Sequence, residues 1–382
     1  MHLFISAGEP SGDLHGANLV RTFREMRPGV ECVGFGGDRM EAAGARLLYP
    51  LCRLAVMWFL RVLLNAVLFI RLIVRADRYF RDHRPDAVIL IDFPGFHWWI
   101  ARRAHARGIP VFYFVPPQLW GWAGWRVKKM RKWVDHVLCC LPFEEAWYRH
   151  RNVPVRYVGH PYFDELPRQR LDGAFLAEQR ARPGKIVALL PGSRRQEVTR
   201  NFPTLMRSAE RVAAACPGVR FLAACFNAEQ EQMARECLAR SSAPIETCVG
   251  RTAEILELAH SCISVSGSVG LEVLYRGKPA VIVYRISRLD LWVARWFITS
   301  RFISLVNLLA GRELYPEFLT DRDDSEAIAG HVRRWLDGPV AYADRCRELA
   351  ELRVRVAAPG ACGRAARFVL DHLSGESARR VA

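Results

Sequence analysis

No Cys-x-x-Cys spacing occurs among the 11 cysteines of this 382-residue chain, and their number is odd. Neither a zinc clip nor a redox pair is indicated. Cys225, Cys262 and the adjacent Cys139 and Cys140 sit inside apolar runs, where a thiol behaves as a small hydrophobe. A reducing cytoplasm is the compartment this usage predicts. The N-terminus lacks a basic region followed by an apolar core and cleavage site, so no secretion signal is read. Low-complexity tracts and internal repeats are absent. Zinc-finger spacing, a basic zipper and an RNA-binding aromatic signature are missing too, which argues against a nucleic-acid partner despite the charge described below.

A membrane-spanning run is also lacking. The most apolar stretch, "LAVMWFLRVLLNAVLFIRLIVR", is interrupted by Arg61, Asn65 and Arg71, and its longest unbroken apolar run is the seven residues Leu54 to Leu60. Spanning needs about 18. On a helical wheel the polar residues Arg61, Asn65, Arg71 and Arg75 gather in one arc, opposite a wide face that includes Trp58, Phe59, Leu63, Phe69 and Ile70. A helix buried in a domain core is one reading. The other is an interfacial helix lying in the headgroup boundary, with Met57, Trp58, Phe59, Leu63, Phe69, Ile70, Arg71 and Arg75 as its contacts. The Trp- and Lys/Arg-rich "QLWGWAGWRVKKMRKW" nearby favours the second reading.

What the chain has in excess is positive charge. Its formal net charge is +16, and residues 53 to 132 alone carry 15 Lys/Arg against 4 Asp. Anionic lipid or a phosphorylated substrate would meet that demand. Half the residues are apolar, and strand-like and helix-like segments alternate from end to end. In the first half, His2 to Ser6, Glu31 to Phe35, Val88 to Ile91 and Val111 to Val115 read as buried strands, with helices at Leu14 to Arg27 and Phe96 to Arg107. Ile186 to Leu190, Phe221 to Cys225, Cys262 to Val265 and Ala280 to Tyr284 repeat the theme, with helices near 203 to 215, 228 to 240, 252 to 260 and 270 to 276. This alternation predicts an α/β fold of two Rossmann-like domains with parallel sheets, facing across a cleft. The Pro- and charge-rich Gly159 to Gly184 segment is the boundary, giving domains 1–165 and 166–382, with the last helices free to pack back on the first domain.

Open parallel sheets bind ligands beyond the carboxyl ends of their strands, so the loops there carry the chemistry. Four are informative. Ala7 to Asp13 follows the first strand and contains Gly8, Glu9, Ser11, Gly12 and Asp13. Glycines admit a close backbone approach and a helix N-terminus attracts an anion, although a tight turn explains the same residues. The loop is neither G-x-G-x-x-G nor a P-loop. "VILIDFPGF" puts Asp92 just after a strand, as a candidate general base or as an Asx turn before Pro94. In "LLPGSRRQE", Gly192, Ser193 and Arg194 suit a diphosphate, or a plain turn opening a helix. "SVSGSVGLE" offers a Ser266-Gly267-Ser268 phosphate loop and Glu272 for ribose hydroxyls, or an acid stabilising a helix N-terminus.

Taken in order from the first strand to about residue 319, "SAGEPSGDLHGANL", "GFGGDRM", "LAVMWF", "IDFPGF", "LPFEEAWY", "VGHPYFDEL", "LLPGSRRQEV", the SGSxxLE loop and "SLVNLLAGRELYPEFL" resemble the lipid-A-disaccharide synthase family of GT-B glycosyltransferases. The resemblance implies a peripheral enzyme on the cytoplasmic face of the bacterial inner membrane. It would join UDP-2,3-diacylglucosamine to 2,3-diacylglucosamine 1-phosphate by a β-1,6 bond and release UDP, with no cofactor and no metal. Asp92 matches the family's essential aspartate and Arg194 its essential arginine. Asn307 and Glu313 fall in the "NLLAGRE" segment associated with the nucleotide, and Glu272 is similar to the ribose-binding glutamate of related enzymes. Gly95 and His97 depart from the Asp and Asn usual in the family, and they and His160 are left without a role. Partners implied are the donor, the acceptor and an anionic membrane surface; a homodimer is left open. Rival readings are another UDP-sugar transferase with a lipid-linked acceptor, a UDP-sugar 2-epimerase and a non-catalytic membrane-binding nucleotide sensor.

Overall fold

The computed structural model describes residues 1–55, 66–239, 241, 243–288, 292 and 300–381. Met57, Trp58, Phe59 and Leu63, expected at the membrane, lie outside them. The chain divides into two compact units, Met1–Pro167 with Ala358–Ala382, and Arg168–Ala357.

The first unit is built on a seven-stranded, wholly parallel sheet. Its strands are β1 (His2–Ala7), β2 (Glu31–Phe35), β3 (Arg46–Tyr49), β4 (Ala87–Ile91), β5 (Val111–Phe114), β6 (His136–Cys139) and β7 (Val155–Tyr157), in the order β3-β2-β1-β4-β5-β6-β7. Parallel strands covered on both faces read as continuous apolar runs, and β4, Ala-Val-Ile-Leu-Ile, is buried throughout. Side chains alternate between two cores. Leu3, Ile5 and Ala7 join Ala17, Leu19 and Phe23 of helix Pro10–Met26, together with Ala365 and Val369 of the last helix, Ala361–Val381. Phe4, Val88, Leu90 and Tyr113 pack on the other face against Leu72, Phe80 and Trp98 of helices Ala66–His83 and Pro94–His105. The last helix is tied down at its start, where the Asp164 carboxylate accepts the backbone N–H of Gly360, Ala361 and Cys362 at 2.5 to 3.0 Å.

The second unit carries a six-stranded parallel sheet, β8 (Ile186–Leu190), β9 (Arg220–Cys225), β10 (Ile245–Val249), β11 (Ser261–Val265), β12 (Ala280–Arg285) and β13 (Glu317–Thr320), in the order β10-β9-β8-β11-β12-β13. One face packs on helices Arg195–Ala215 and Ser325–Asp337 through Phe202, Leu205, Ile328 and Val332.

Two helices begin earlier than expected. The first starts at Pro10 rather than Leu14, because proline lacks the N–H that a first turn leaves unpaired and its φ already suits a helix. Ser11, Gly12 and Asp13 therefore belong to that turn and not to a loop. The helix expected near 203 starts at Arg195 and runs through Pro203, with Asn201 Nδ2 donating to the Glu197 carbonyl and Thr199 Oγ1 to that of Arg195.

None of the 11 cysteines forms a disulfide, and all but Cys237 and Cys346 are buried. Burial pushes the Cys32 and Cys262 thiols up to about 12. They are core atoms.

Candidate active site

In each sheet the chain order reverses once, and a crevice opens where the two strands flanking that reversal send their loops in opposite directions. In the first sheet the reversal lies between β1 and β4, in the second between β8 and β11. The loops after β1 and β4 bring Gly8 and Asp92 to the first of these places, and those after β8 and β11 bring Gly192 to Arg194 and Ser266 to Ser268 to the second.

Ala7 pairs with Ile91, so Gly8 and Asp92 leave adjacent strands side by side. A Cβ on Gly8 would stand 2.3 Å from the Phe93 ring, so glycine is what lets Phe93 close over the β1 loop. Glu9 is the N-cap of the first helix, and Ser11 is exposed in its first turn. Gly12 packs near Ala7 and the Ile91 carbonyl. Asp13, expected to bind substrate, is buried and does something else. Its Oδ1 accepts the N–H of Gly37 at 2.8 Å and of Met40 at 3.1 Å, and its Oδ2 that of Arg39 at 3.1 Å. It caps helix Asp38–Ala42.

Asp92 is partly exposed and its backbone is unusual. Asp92 and Phe93 both have left-handed conformations, with φ of 51° and 47°. The Asp92 N–H donates to the Val115 carbonyl at 3.2 Å. Its own carbonyl accepts from the Tyr113 hydroxyl and from His97 Nδ1, each at 2.6 Å. His97 is fully buried, and its Nε2 lies 2.8 Å from Ser6 Oγ. Burial pulls its pKa down to about 4, against a smaller raising effect of the Asp92 carbonyl bond. The ring is neutral at pH 7.

In the second unit the loops after β8 and β11 are neighbours, since Leu190 pairs with Ser264. Gly192 has a φ of 109°, which favours glycine, and a Cβ there would stand 2.5 Å from Glu197 Oε2. That oxygen accepts the N–H groups of Ser193 and Arg194 at 3.0 and 3.1 Å. Gln230 Nε2 donates to the Ser193 carbonyl at 2.6 Å. The Arg194 guanidinium projects outward, 70% exposed and 3.7 Å from Glu197. Gly267 and Ser268 are exposed, and Ser266 Oγ donates to the Ile303 carbonyl at 2.7 Å.

Glu272 lies in the first turn of helix Val269–Tyr275 and is buried against Arg276, whose Nε and Nη2 reach its Oε1 at 3.3 and 3.2 Å. Arg276 is held in turn by Glu257 and Gln169, both at 2.8 Å. Asn307, expected at the nucleotide, is buried and its amide is used internally. Nδ2 donates to the Tyr315 carbonyl and Glu317 Oε1, and Oδ1 accepts the N–H of Leu314 and Tyr315, all at 2.7 to 2.8 Å. Glu317 also accepts the N–H of Ile303 and Ser304. Asn307 thus braces the segment whose Ile303 carbonyl receives Ser266, and its amide is not turned to a ligand. Glu313 is exposed beside His331, where burial lowers the histidine's pKa and the carboxylate partly offsets this.

Ser6, Tyr113, Glu197, Gln230, Arg276 and Glu317 are supporting residues that sequence reading missed. Only Glu197 left a signal, three positions after the N-cap Arg194 as in a capping box. Among the described residues, no group of three His, Cys, Asp or Glu side chains could hold a metal ion.

Phe69 corrects another expectation. It is half-buried, with its ring 5.6 Å from Phe96 and 6.4 Å from Phe93, so it packs inward rather than toward a membrane. Ile70, Arg71 and Arg75 are exposed on the same helix, with Val67 and Val74.

Solved structures of similar fold include a UDP-GlcNAc 2-epimerase from Neisseria meningitidis bound to UDP-GlcNAc, with a TM-score of 0.67 at 12% identity, covering 97% of this chain and 100% of that one. Acinetobacter baumannii MurG gives a TM-score of 0.57 at 13% identity over 97% and 99%. At such identities the likeness carries the fold class alone, the GT-B type with two parallel-sheet α/β units. Sequence similarity carries more. Lipid-A-disaccharide synthase of Myxococcus xanthus (strain DK1622) is 35% identical over 374 residues, 97% of each chain, and that of Azotobacter vinelandii 40% identical over 336 residues, 86% of this chain and 88% of that one. The family described as lipid-A-disaccharide synthetase matches residues 3–349, a span that takes in both crevices and every candidate residue named above, and the chain therefore belongs to the lipid-A-disaccharide synthase family.

Proposed function

We propose that this chain transfers 2,3-diacylglucosamine from its UDP carrier to the 6-hydroxyl of 2,3-diacylglucosamine 1-phosphate, giving the β-1,6 disaccharide 1-phosphate and UDP. The first unit supplies the base and the acceptor site, and the second holds the nucleotide. The Asp92 carboxylate takes the 6-hydroxyl proton as that oxygen bonds to the anomeric carbon from the face opposite UDP. The bond to the UDP oxygen breaks and the diphosphate leaves with the electron pair, inverting the configuration. The Arg194 guanidinium and the Ser266 to Ser268 loop stabilise the charge that builds there. Both substrates are anionic, which suits the excess of positive charge.

The observation that carries this reading is Asp92, a partly exposed residue at the end of β4 beside the β1–β4 crevice, on a backbone held by three hydrogen bonds. Its test is to incubate the purified protein with both acylated substrates and follow disaccharide and UDP. Asp92→Ala should reduce turnover by about 10²- to 10⁴-fold, the range of general-base catalysis, with UDP affinity nearly unchanged. Full turnover by that variant would remove Asp92 as the base. Formation of a 2-epimer, or UDP-sugar binding without turnover, would favour the rival activities.

The reading extends to a peripheral place on the cytoplasmic face of the inner membrane, since both substrates carry acyl chains. Its support is the outward face of helix Ala66–His83, where Val67 and Ile70 are 60% and 59% exposed beside Arg71 and Arg75. Trp122 and Trp125 add exposed rings that flank Arg126, its guanidinium 4.8 and 5.3 Å from their centroids.

A further inference from the structure

We propose that His97, with Ser6 and Tyr113, is a positioning residue for the reaction, fixing the Asp92 backbone in the left-handed conformation from which its carboxylate serves the acceptor hydroxyl. This rests on Asp92 being the general base.

A left-handed conformation is unfavourable for a residue with a Cβ, and here two such residues follow one another. Conformations of this kind persist where their surroundings over-determine them. Around Asp92 two strands and a helix do so. Its N–H is bound to Val115, just beyond β5; its carbonyl receives the Tyr113 hydroxyl from β5 and the His97 ring from helix Pro94–His105; and Ser6, on β1, meets the far side of that ring. The brace thus joins β1 to the exit of β4, the two strands that frame the crevice.

The chemistry of the ring is settled by its neighbours. A carbonyl oxygen can only accept, so Nδ1 carries the hydrogen. Nε2 is then the acceptor of the neutral ring, and Ser6 Oγ donates to it. Full burial favours that neutral form. His97 therefore neither takes a proton from substrate nor carries charge toward it. It acts only through the peptide of Asp92.

A merely structural histidine would affect stability and leave turnover per folded molecule alone. A positioning residue should lower kcat and leave nucleotide binding intact. The test measures kcat, KM for both substrates, UDP affinity and thermal stability on the full chain for His97→Leu, His97→Asn, Ser6→Ala and Tyr113→Phe. His97→Leu is expected to lower kcat about 100-fold, the scale set by an ångström of misplacement, with UDP affinity within about 3-fold of wild type. His97→Asn places a side-chain N–H near the lost Nδ1–H and should recover kcat to within about 10-fold of wild type. Ser6→Ala and Tyr113→Phe should fall between the two.

Turnover of a folded His97→Leu protein within about 3-fold of wild type would overturn the proposal, as would a folded His97→Asn no better than His97→Leu. If His97→Leu does not fold, the two hydroxyl deletions decide, and unchanged kcat in both overturns it. An inactive Asp92→Ala beside an active His97→Leu would sink the positioning role and spare the base, whereas an active Asp92→Ala would sink the base itself.

Discussion

Three buried histidines in the first unit are neutral for the same reason, the desolvation of a charge that their neighbours offset at most in part. Burial brings His15 down to about 3, helped by the His160 ring 5.8 Å away, and takes His97 and His160 to about 4. The sign of the pH effect follows. In the unfolded chain these rings take up protons near pH 6.5, in the folded chain only near 4 or below, so stability is complete above about 6.5 and is lost as pH falls toward 4. Glu144 opposes this. Burial raises it to about 7, against hydrogen bonds from Trp120, Leu141 and Cys140, so it contributes stability as pH falls from about 7 to 4.5. Three rings against one carboxyl leave a net loss on acidification. Urea unfolding at pH 7 and at pH 5 should show weaker stability at pH 5, and His160→Asn should shrink the difference by about one proton's worth, 1.4 kcal/mol per pH unit at most. An undiminished difference in that variant would mean that His160 does not titrate in this way.

At the scale of elements, a polar hub ties helix Leu305–Ala310 to the turn between it and β13. Ser304 caps helix Leu305–Ala310 by accepting the Asn307 N–H, Gly311 ends that helix in a left-handed conformation, and the Asn307 amide spans the turn that follows. Removing that amide leaves the buried N–H groups of Leu314 and Tyr315 without their acceptor, at about 1–3 kcal/mol for each unsatisfied group. Asn307→Ala should therefore lower the unfolding free energy by about 2–6 kcal/mol in urea titration. Because Ile303 is the acceptor for Ser266, UDP affinity should fall as well. Unchanged stability would show that water takes over the hub. Arg276 is the corresponding device under Glu272, a buried pair whose partners outside the helix, Glu257 and Gln169, fix the guanidinium from two sides.

At the scale of the whole molecule, the positive charge and the exposed apolar side chains of helix Ala66–His83 define a surface property rather than a bilayer-spanning one. No helix among the described residues is long and apolar enough to cross a membrane. Sedimentation with anionic phosphatidylglycerol vesicles measures the consequence. Each Lys or Arg near such a surface contributes about 1 kcal/mol, so Arg71→Glu with Arg75→Glu should weaken pelleting by at least about tenfold, and more so at low salt. Identical pelleting by the double variant would place the contact elsewhere. The helix also shows how one wheel divides between two tasks. Leu72, Ala76, Tyr79 and Phe80 are buried, Phe69 and Ile73 lean on the same core, and Val67, Ile70 and Val74 face out.

Local pattern alone determined the alternation of strand and helix, the parallel class of both sheets and the position of Asp92 and the two phosphate-type loops at strand ends, since these follow from hydrophobic period and from glycine and proline punctuation. The strands β3, β6, β7, β10 and β13 escaped because polar or half-exposed side chains interrupt the continuous apolar run that reveals equally short strands such as β4 and β5. What only the tertiary structure decided was which polar side chains are spent holding the fold. Asp13 and Asn307 look like ligands in a sequence and act as staples, while Ser6, His97 and Tyr113 converge on one peptide although Ser6 and His97 stand 91 positions apart. The physical reason is that a hydrogen bond between distant residues is fixed by strand order and register, and neither is a property of any short stretch of chain.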